Sequence, residues 1–164
     1  MADDSSPLPP LTLDERLSIN TWAGGPTPKE RGAVQRAVTE LLDALAPEQL
    51  LTRRERAGQR IEQYRTPNGC ILQGPTAALS VTWFAESPSE ASFGELHLLL
   101  WKGVVSRRGA PPARGGAQLL SEQVLRPVIV EEGRCVWEDA ASARSDTAAV
   151  AARCIALLEE QLAA

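Results

Sequence analysis

The chain has little of the residue types that carry chemistry on their own. Among 164 residues there is one histidine, His97, and there are three cysteines and only seven aromatics: four Trp, two Phe and one Tyr. Cys70, Cys135 and Cys154 are odd in number and far apart, with no Cys-x-x-Cys pair and no histidine beside them. That spacing argues against a disulfide framework and against a standard zinc site, so neither a metal nor a cofactor is expected. No Gly-x-Ser-x-Gly turn occurs, and no residue earns a catalytic assignment. No run approaches the ~20 apolar residues of a spanning helix. The opening "MADDSSPLPP" is acidic and has no apolar centre, so it does not read as a signal peptide. A soluble, cytoplasmic protein is the expectation.

Lysine is also scarce. Lys29 and Lys102 are the only two among 17 basic residues. With alanine abundant, this fits coding bias in a GC-rich genome better than selection for bidentate anion recognition. The formal net charge of -4 opposes generic attraction to DNA or to anionic membranes, although a local basic patch remains compatible with it.

What is present suits one domain of ordinary size. A chain this long buries roughly 70% of its unfolded surface and folds without covalent staples. Residues 1–11, with two aspartates, two serines and three prolines, read as a disordered tail, and residues 12–164 as a single α+β domain. Thr12 and Glu15 have capping-box spacing, and "AGGP" would end the short helix they begin. Thr27 and Glu30 repeat that spacing with Pro28 at the first helical position, and Val34, Ala37, Val38, Leu41, Leu42 and Leu45 follow at helical intervals. Pro47 interrupts this helix or opens another through "PEQLLTRRERAG".

The period then becomes extended. "RIEQYR" and "CILQG" flank the turn residues Pro67-Asn68-Gly69, chosen for their tolerance of positive φ. "AALSVTWFAE" alternates Leu79, Val81 and Trp83 with Ala78, Ser80, Thr82 and Phe84. "GELHLLLWKGVVS" sets Leu96, Leu98 and Leu100 against His97, Leu99 and Trp101, so it is apolar on both faces and wants a cover on each. "AQLLSEQ" is ambiguous between helix and strand. "VLRPVIV" and "RCVWED" make a second hairpin around "EEG", with Pro127 at an edge or bulge. Asp146 caps a closing helix through Val150, Cys154, Leu157 or Leu158, and Leu162. The expected architecture is an antiparallel sheet of about five or six strands, with N-terminal helices and a C-terminal helix packed on it.

Candidate functional residues are few. "SRRGAPPARGG" holds Arg107, Arg108 and Arg114, and "RRERAGQR" sets Arg53, Arg56 and Arg60 on one helical face. Together they are anion-binding candidates, yet no aromatic lies between Ser106 and Gly116 to stack on bases, and a solvated strand connector explains that stretch more simply. His97 is the natural general base, but a lone histidine among apolar neighbours reads first as a packed, hydrogen-bonded core residue. If the second hairpin forms, Glu131 or Glu132 faces Glu138 or Asp139 across it, as paired carboxylates do in acid/base or metal sites, although Arg126 and Arg134 are near enough in sequence to neutralise them. Trp83, Trp101, Leu99 and Tyr64 would line one sheet face, where a partner or an apolar ligand docks. Trp83, His97, Leu99 and Trp101 are therefore the partner- or ligand-binding candidates. The leading expectation is a non-catalytic protein-interaction or regulatory module whose partner is another protein or a second copy. A small-molecule binder or enzyme with its site on the sheet comes second, and a nucleic-acid binder through the 106–116 loop third.

Overall fold

The structure, a computed structural model, describes residues 26–46, 61–86, 92–105 and 116–163. The first described element is helix α1, Pro28–Ala44. Its capping box forms as the spacing predicts: Thr27 Oγ1 accepts the Glu30 N–H at 3.2 Å, and Glu30 Oε1 accepts the Thr27 N–H at 3.0 Å. These bonds satisfy two donors that a helix start otherwise leaves open. The stripe from Val34 to Leu45 is buried throughout.

Seven strands follow as an antiparallel meander in which each pairs with its neighbour in sequence: β1 Glu62–Thr66, β2 Gly69–Gln73, β3 Ala77–Ala85, β4 Gly94–Lys102, β5 Gln118–Ile129, β6 Cys135–Glu138 and β7 Arg144–Ser145. A one-turn 3₁₀ helix, Glu131–Gly133, joins β5 to β6. Helix α2, Thr147–Ala163, closes the chain. The α+β class is as expected, but the sheet has seven strands, not five or six. The ambiguous "AQLLSEQ" resolves as the first half of β5, and β7 is a two-residue strand too short to show a period.

Strand alternation sorts the sheet into two faces. Cys70, Leu72, Leu79, Val81, Trp83, Leu96, Leu98, Leu100, Leu125 and Trp137 join the buried faces of α1 and α2 in one core. Trp137 is fully buried, meets Trp83 edge-on with ring centroids 5.9 Å apart, and donates its indole N–H to Thr147 Oγ1 at 3.1 Å, tying the start of α2 to β6. Asp146 caps α2 through the Ala149 N–H at 2.7 Å. Pro127 lies past the last β4 rung, Leu96 opposite Leu125, so its missing N–H costs no ladder bond on that side. Among the described residues no helix is long and apolar enough to cross a membrane.

The expected helices at 12–20 and after Pro47, residues 87–91 of the loop "SPSEAS", Trp22, and the candidates Arg53, Arg56, Arg60, Arg107, Arg108 and Arg114 lie outside the described residues.

Candidate functional site: the helix-free face of the sheet

Both described helices pack on one face of the sheet. The other face is built from the alternate residues of the same strands, and the registers set them in rows. One row runs Tyr64, Ile71, Ser80, Leu99, Glu122. The row toward the end of β4 runs Gln73, Ala78, Trp101, Leu119. The row on the opposite side of the first runs Gly69, Thr82, His97, Val124. Ala78 is fully buried and Gln73 and Ser80 are buried too, but none of these side chains joins the core cluster that the two helices cover. One face thus carries an apolar end around Trp101 and Leu119 and a charged end around Glu95, His97 and Arg126.

At the apolar end Trp101 reaches back across β3 and donates its indole N–H to Ser80 Oγ at 3.1 Å, which fixes the ring over the sheet. A bulge between Leu100 and Trp101 shifts the register there and makes Leu120 the extra residue of β5. Gln73, buried at the edge of this row, was not singled out from the sequence. Its side-chain N–H₂ reaches the carbonyl oxygens of Gly74, Ala77 and Gly103 at 2.8, 3.3 and 3.1 Å, and its Oε1 accepts the Val105 N–H at 2.9 Å. The chain leaving β4 is thereby held across the end of β3 as far as Val105.

At the charged end His97 sits between two carboxylates: its Nε2 lies 3.2 Å from Glu95 Oε1 and its Nδ1 3.7 Å from Glu122 Oε2. Its ring meets Phe84 edge-on at 4.7 Å. Arg126 donates to Glu95 Oε2 from Nη2 at 2.8 Å and from Nε at 3.2 Å. These donors, Arg126 first and His97 second, hold the Glu95 carboxyl below its ordinary pKa. His97 is hydrogen-bonded as expected, but it lies on the helix-free face and not in the core. The Cys70 and Cys154 thiols are buried on the opposite side, where desolvation pushes them up to about 11 and about 12, and burial with the Glu40 charge raises half-buried Cys135 to about 11. Each thiol stays protonated near neutral pH and is a poor nucleophile.

Two expectations from sequence change here. Trp83 does not share a face with Trp101: its opposite number across β4 is Leu96, and it packs in the core against Trp137. A fully alternating strand forces this, because residues 83 and 101 pair with partners of opposite parity. The paired carboxylates do not meet either. Glu131 and Glu132 lie at the turn end of β6, whereas Glu138 pairs with Arg126 at the far end. Asp139 is occupied in the next turn, its Oδ1 accepting the N–H groups of Ala141 and Ala143, both at 2.9 Å. Glu138 accepts from Arg144 Nε at 3.0 Å. Among the described residues there is no Ser–His or Cys–His pair and no cluster of three metal-ligating side chains.

Beside the charged end, Val124, Arg126, Glu138, Asp139, Ala140 and Ser142 line an open cavity of about 280 Å³. Its charged side chains already pair with protein groups, so what it offers is shape with few free donors. No protein-family model, no curated protein and no solved structure matches this chain.

Proposed function

We propose that this chain is a non-catalytic, cytoplasmic protein-interaction or regulatory module, and that a protein partner docks on the helix-free face of its sheet. The observation that carries the reading is the apolar end of that face. Leu99, Trp101 and Leu119 lie outside the core, on a side against which no described helix packs. Tryptophan held in one orientation is the kind of anchor on which binding energy concentrates. The Trp101–Ser80 bond removes rotamer entropy that a partner would otherwise have to offset. The charged end supplies a polar rim, with Glu122 half exposed and paired with His97. Three free, protonated thiols suit a reducing compartment.

Leu99→Lys plants a charge in the middle of the face, and Ala156→Lys plants one on an exposed position of α2 as a control. A polypeptide retained stoichiometrically by the native chain and by Ala156→Lys, and lost by at least tenfold with Leu99→Lys, supports the reading. Equal retention by all three chains moves the contact elsewhere and overturns it.

A small-ligand reading has one observation in its favour, the 280 Å³ cavity beside Arg126. It ranks second because the cavity falls just below the roughly 300 Å³ at which ligand pockets begin, and because its polar lining is already engaged. A nucleic-acid reading rests on arginines outside the described residues, and the carboxylates of Glu95 and Glu122 on this face oppose it.

A further inference from the structure

A second cavity, of about 180 Å³, lies on the helix side of the sheet, where α1 meets the start of β6 and the start of α2. Its room comes from small residues. Ala33 and Ala37 put only methyl groups on the wall made by α1. Gly133 puts none on the wall made by the β5–β6 connection, and a Cβ there would meet nothing within 4 Å.

The charges around this space are Arg36 and Glu40 of α1, on the same helix face as the two alanines, and Arg134 before β6. Arg36 and Glu40 stand one turn apart, the spacing at which a helix pairs opposite charges. Arg36 instead lies back over Gly32, its Nη1 3.5 Å from where a Gly32 Cβ would sit. Among the described residues no hydrogen bond or ion pair takes up the side chain of Arg36, Glu40 or Arg134. This sets the cavity apart from the one beside Arg126, where Arg126 and Glu138 are both paired. The Glu40 charge is felt inside: with burial, the larger cause, it holds the Cys135 thiol up at about 11. Thr147 adds a neutral donor. Its Oγ1 accepts the Trp137 indole N–H at 3.1 Å, which leaves its own proton to donate elsewhere.

We propose that this cavity binds a small zwitterion, with a carboxylate or phosphate at one end and an ammonium at the other. Arg36 and Arg134 take the oxyanion, whose geometry the guanidinium fork matches. The Thr147 hydroxyl donates to the same group, and Glu40 takes the ammonium. Both signs on the wall require both signs on the ligand. A simple anion would leave Glu40 facing it, and a simple cation would leave two arginines. Size narrows the class further. The volume is that of about six waters, well short of what a drug-sized molecule fills. The ligand is therefore an amino acid or an amino-phosphate of few heavy atoms, rather than a nucleotide or a peptide. The site shares no residue with the helix-free face, so it stands or falls apart from docking there.

The test follows amide chemical shifts by NMR during titration. γ-Aminobutyrate and O-phosphoethanolamine are the zwitterions, one with a carboxylate and one with a phosphate. Acetate and inorganic phosphate are the anions alone. The expected result is that a zwitterion moves the amides of Ala33–Glu40, Gly133–Cys135 and Thr147, and the tighter of the two identifies the oxyanion. Arg36→Ala and Arg134→Ala each weaken that binding about tenfold or more. Glu40→Gln separates a zwitterion from an anion: it weakens the zwitterion by a similar factor and tightens inorganic phosphate, because it removes an attraction for one and a repulsion for the other. Ala33→Leu fills the cavity with every charge kept, and binding is lost. Arg36, Glu40 and Arg134 are exposed, so their variants keep the fold, and far-UV circular dichroism and melting verify this for all four. Absence of shifts with both zwitterions up to about 10 mM overturns the proposal. So does binding that is unchanged in the arginine variants or in a folded Ala33→Leu. A Glu40→Gln chain that binds zwitterion and phosphate alike more tightly marks an anion site only, and overturns it as well.

Discussion

Gly69 and Gly116 are both glycines in or beside strands, and the structure needs them for different reasons. A Cβ on Gly69 would lie 1.9 Å from the Val81 carbonyl oxygen and 3.0 Å from Thr82 Cα, both backbone atoms that cannot swing aside. Gly116 has open space around it but a φ of +61°. Gly69→Ala should therefore cost roughly 3 kcal/mol, the upper end of overpacking, and lower the melting temperature by about 6–12 °C. Gly116→Ala should cost only about 1 kcal/mol of backbone strain. Thermal melting of both variants checks the contrast. The sequence pointed to Gly69 as a turn residue tolerant of positive φ, but the hairpin turns without positive φ at either Asn68 or Gly69. Close approach to β3 depends on which strand comes next, and no local pattern carries that. Glu95 offers a second check. Its folded carboxyl titrates below the unfolded one, because Arg126 and His97 favour the charged form. The stability it contributes is thus present above the unfolded carboxylate range and lost as pH falls through the folded pKa. Native Tm should drop more steeply than that of Glu95→Gln on acidification below about pH 4.5, as paired melting curves would report.

At the scale of elements, what could be read from sequence depended on whether an element is covered. α1 and α2 show their caps and stripes plainly, since one side of each is buried and the other wet. Asp146→Ala removes the acceptor for the Ala149 N–H and should destabilise the fold by about 1 kcal/mol, or roughly 2–4 °C in a chain of this size. Asp146→Asn should retain most of that stability, since an amide oxygen also caps. β3 and β4 were likewise clear from alternation, down to the faces of their side chains. The first half of β5 was not. With six consecutive exposed residues it has no burial pattern to imprint a period of two, and helix and strand look the same there. β7 is legible only from the structure because Arg144–Ser145 has no length over which to alternate.

For the molecule as a whole, the composition of the helix-free face could be inferred but not its membership. His97, Leu99 and Trp101 alternate on one strand, so their shared face follows from sequence. Trp83 was placed beside them only by size and chemistry, and the parity of the β3–β4 register sends it into the core. The Gln73 bridge could not be foreseen, since it depends on where distant strands begin and end.

The meander has a consequence in time. Every strand pairs with the one just made, so the sheet can zip hairpin by hairpin as the chain is synthesised. Its apolar inner side cannot close that way, because one of the two described helices that cover it, α2, follows all seven strands. At ribosomal speeds of about 5–20 residues per second, the roughly 90 residues between β2 and the end of α2 take on the order of 5–20 s. For that interval a growing, half-covered sheet stands open, and what shields it during synthesis decides how much chain reaches the folded state.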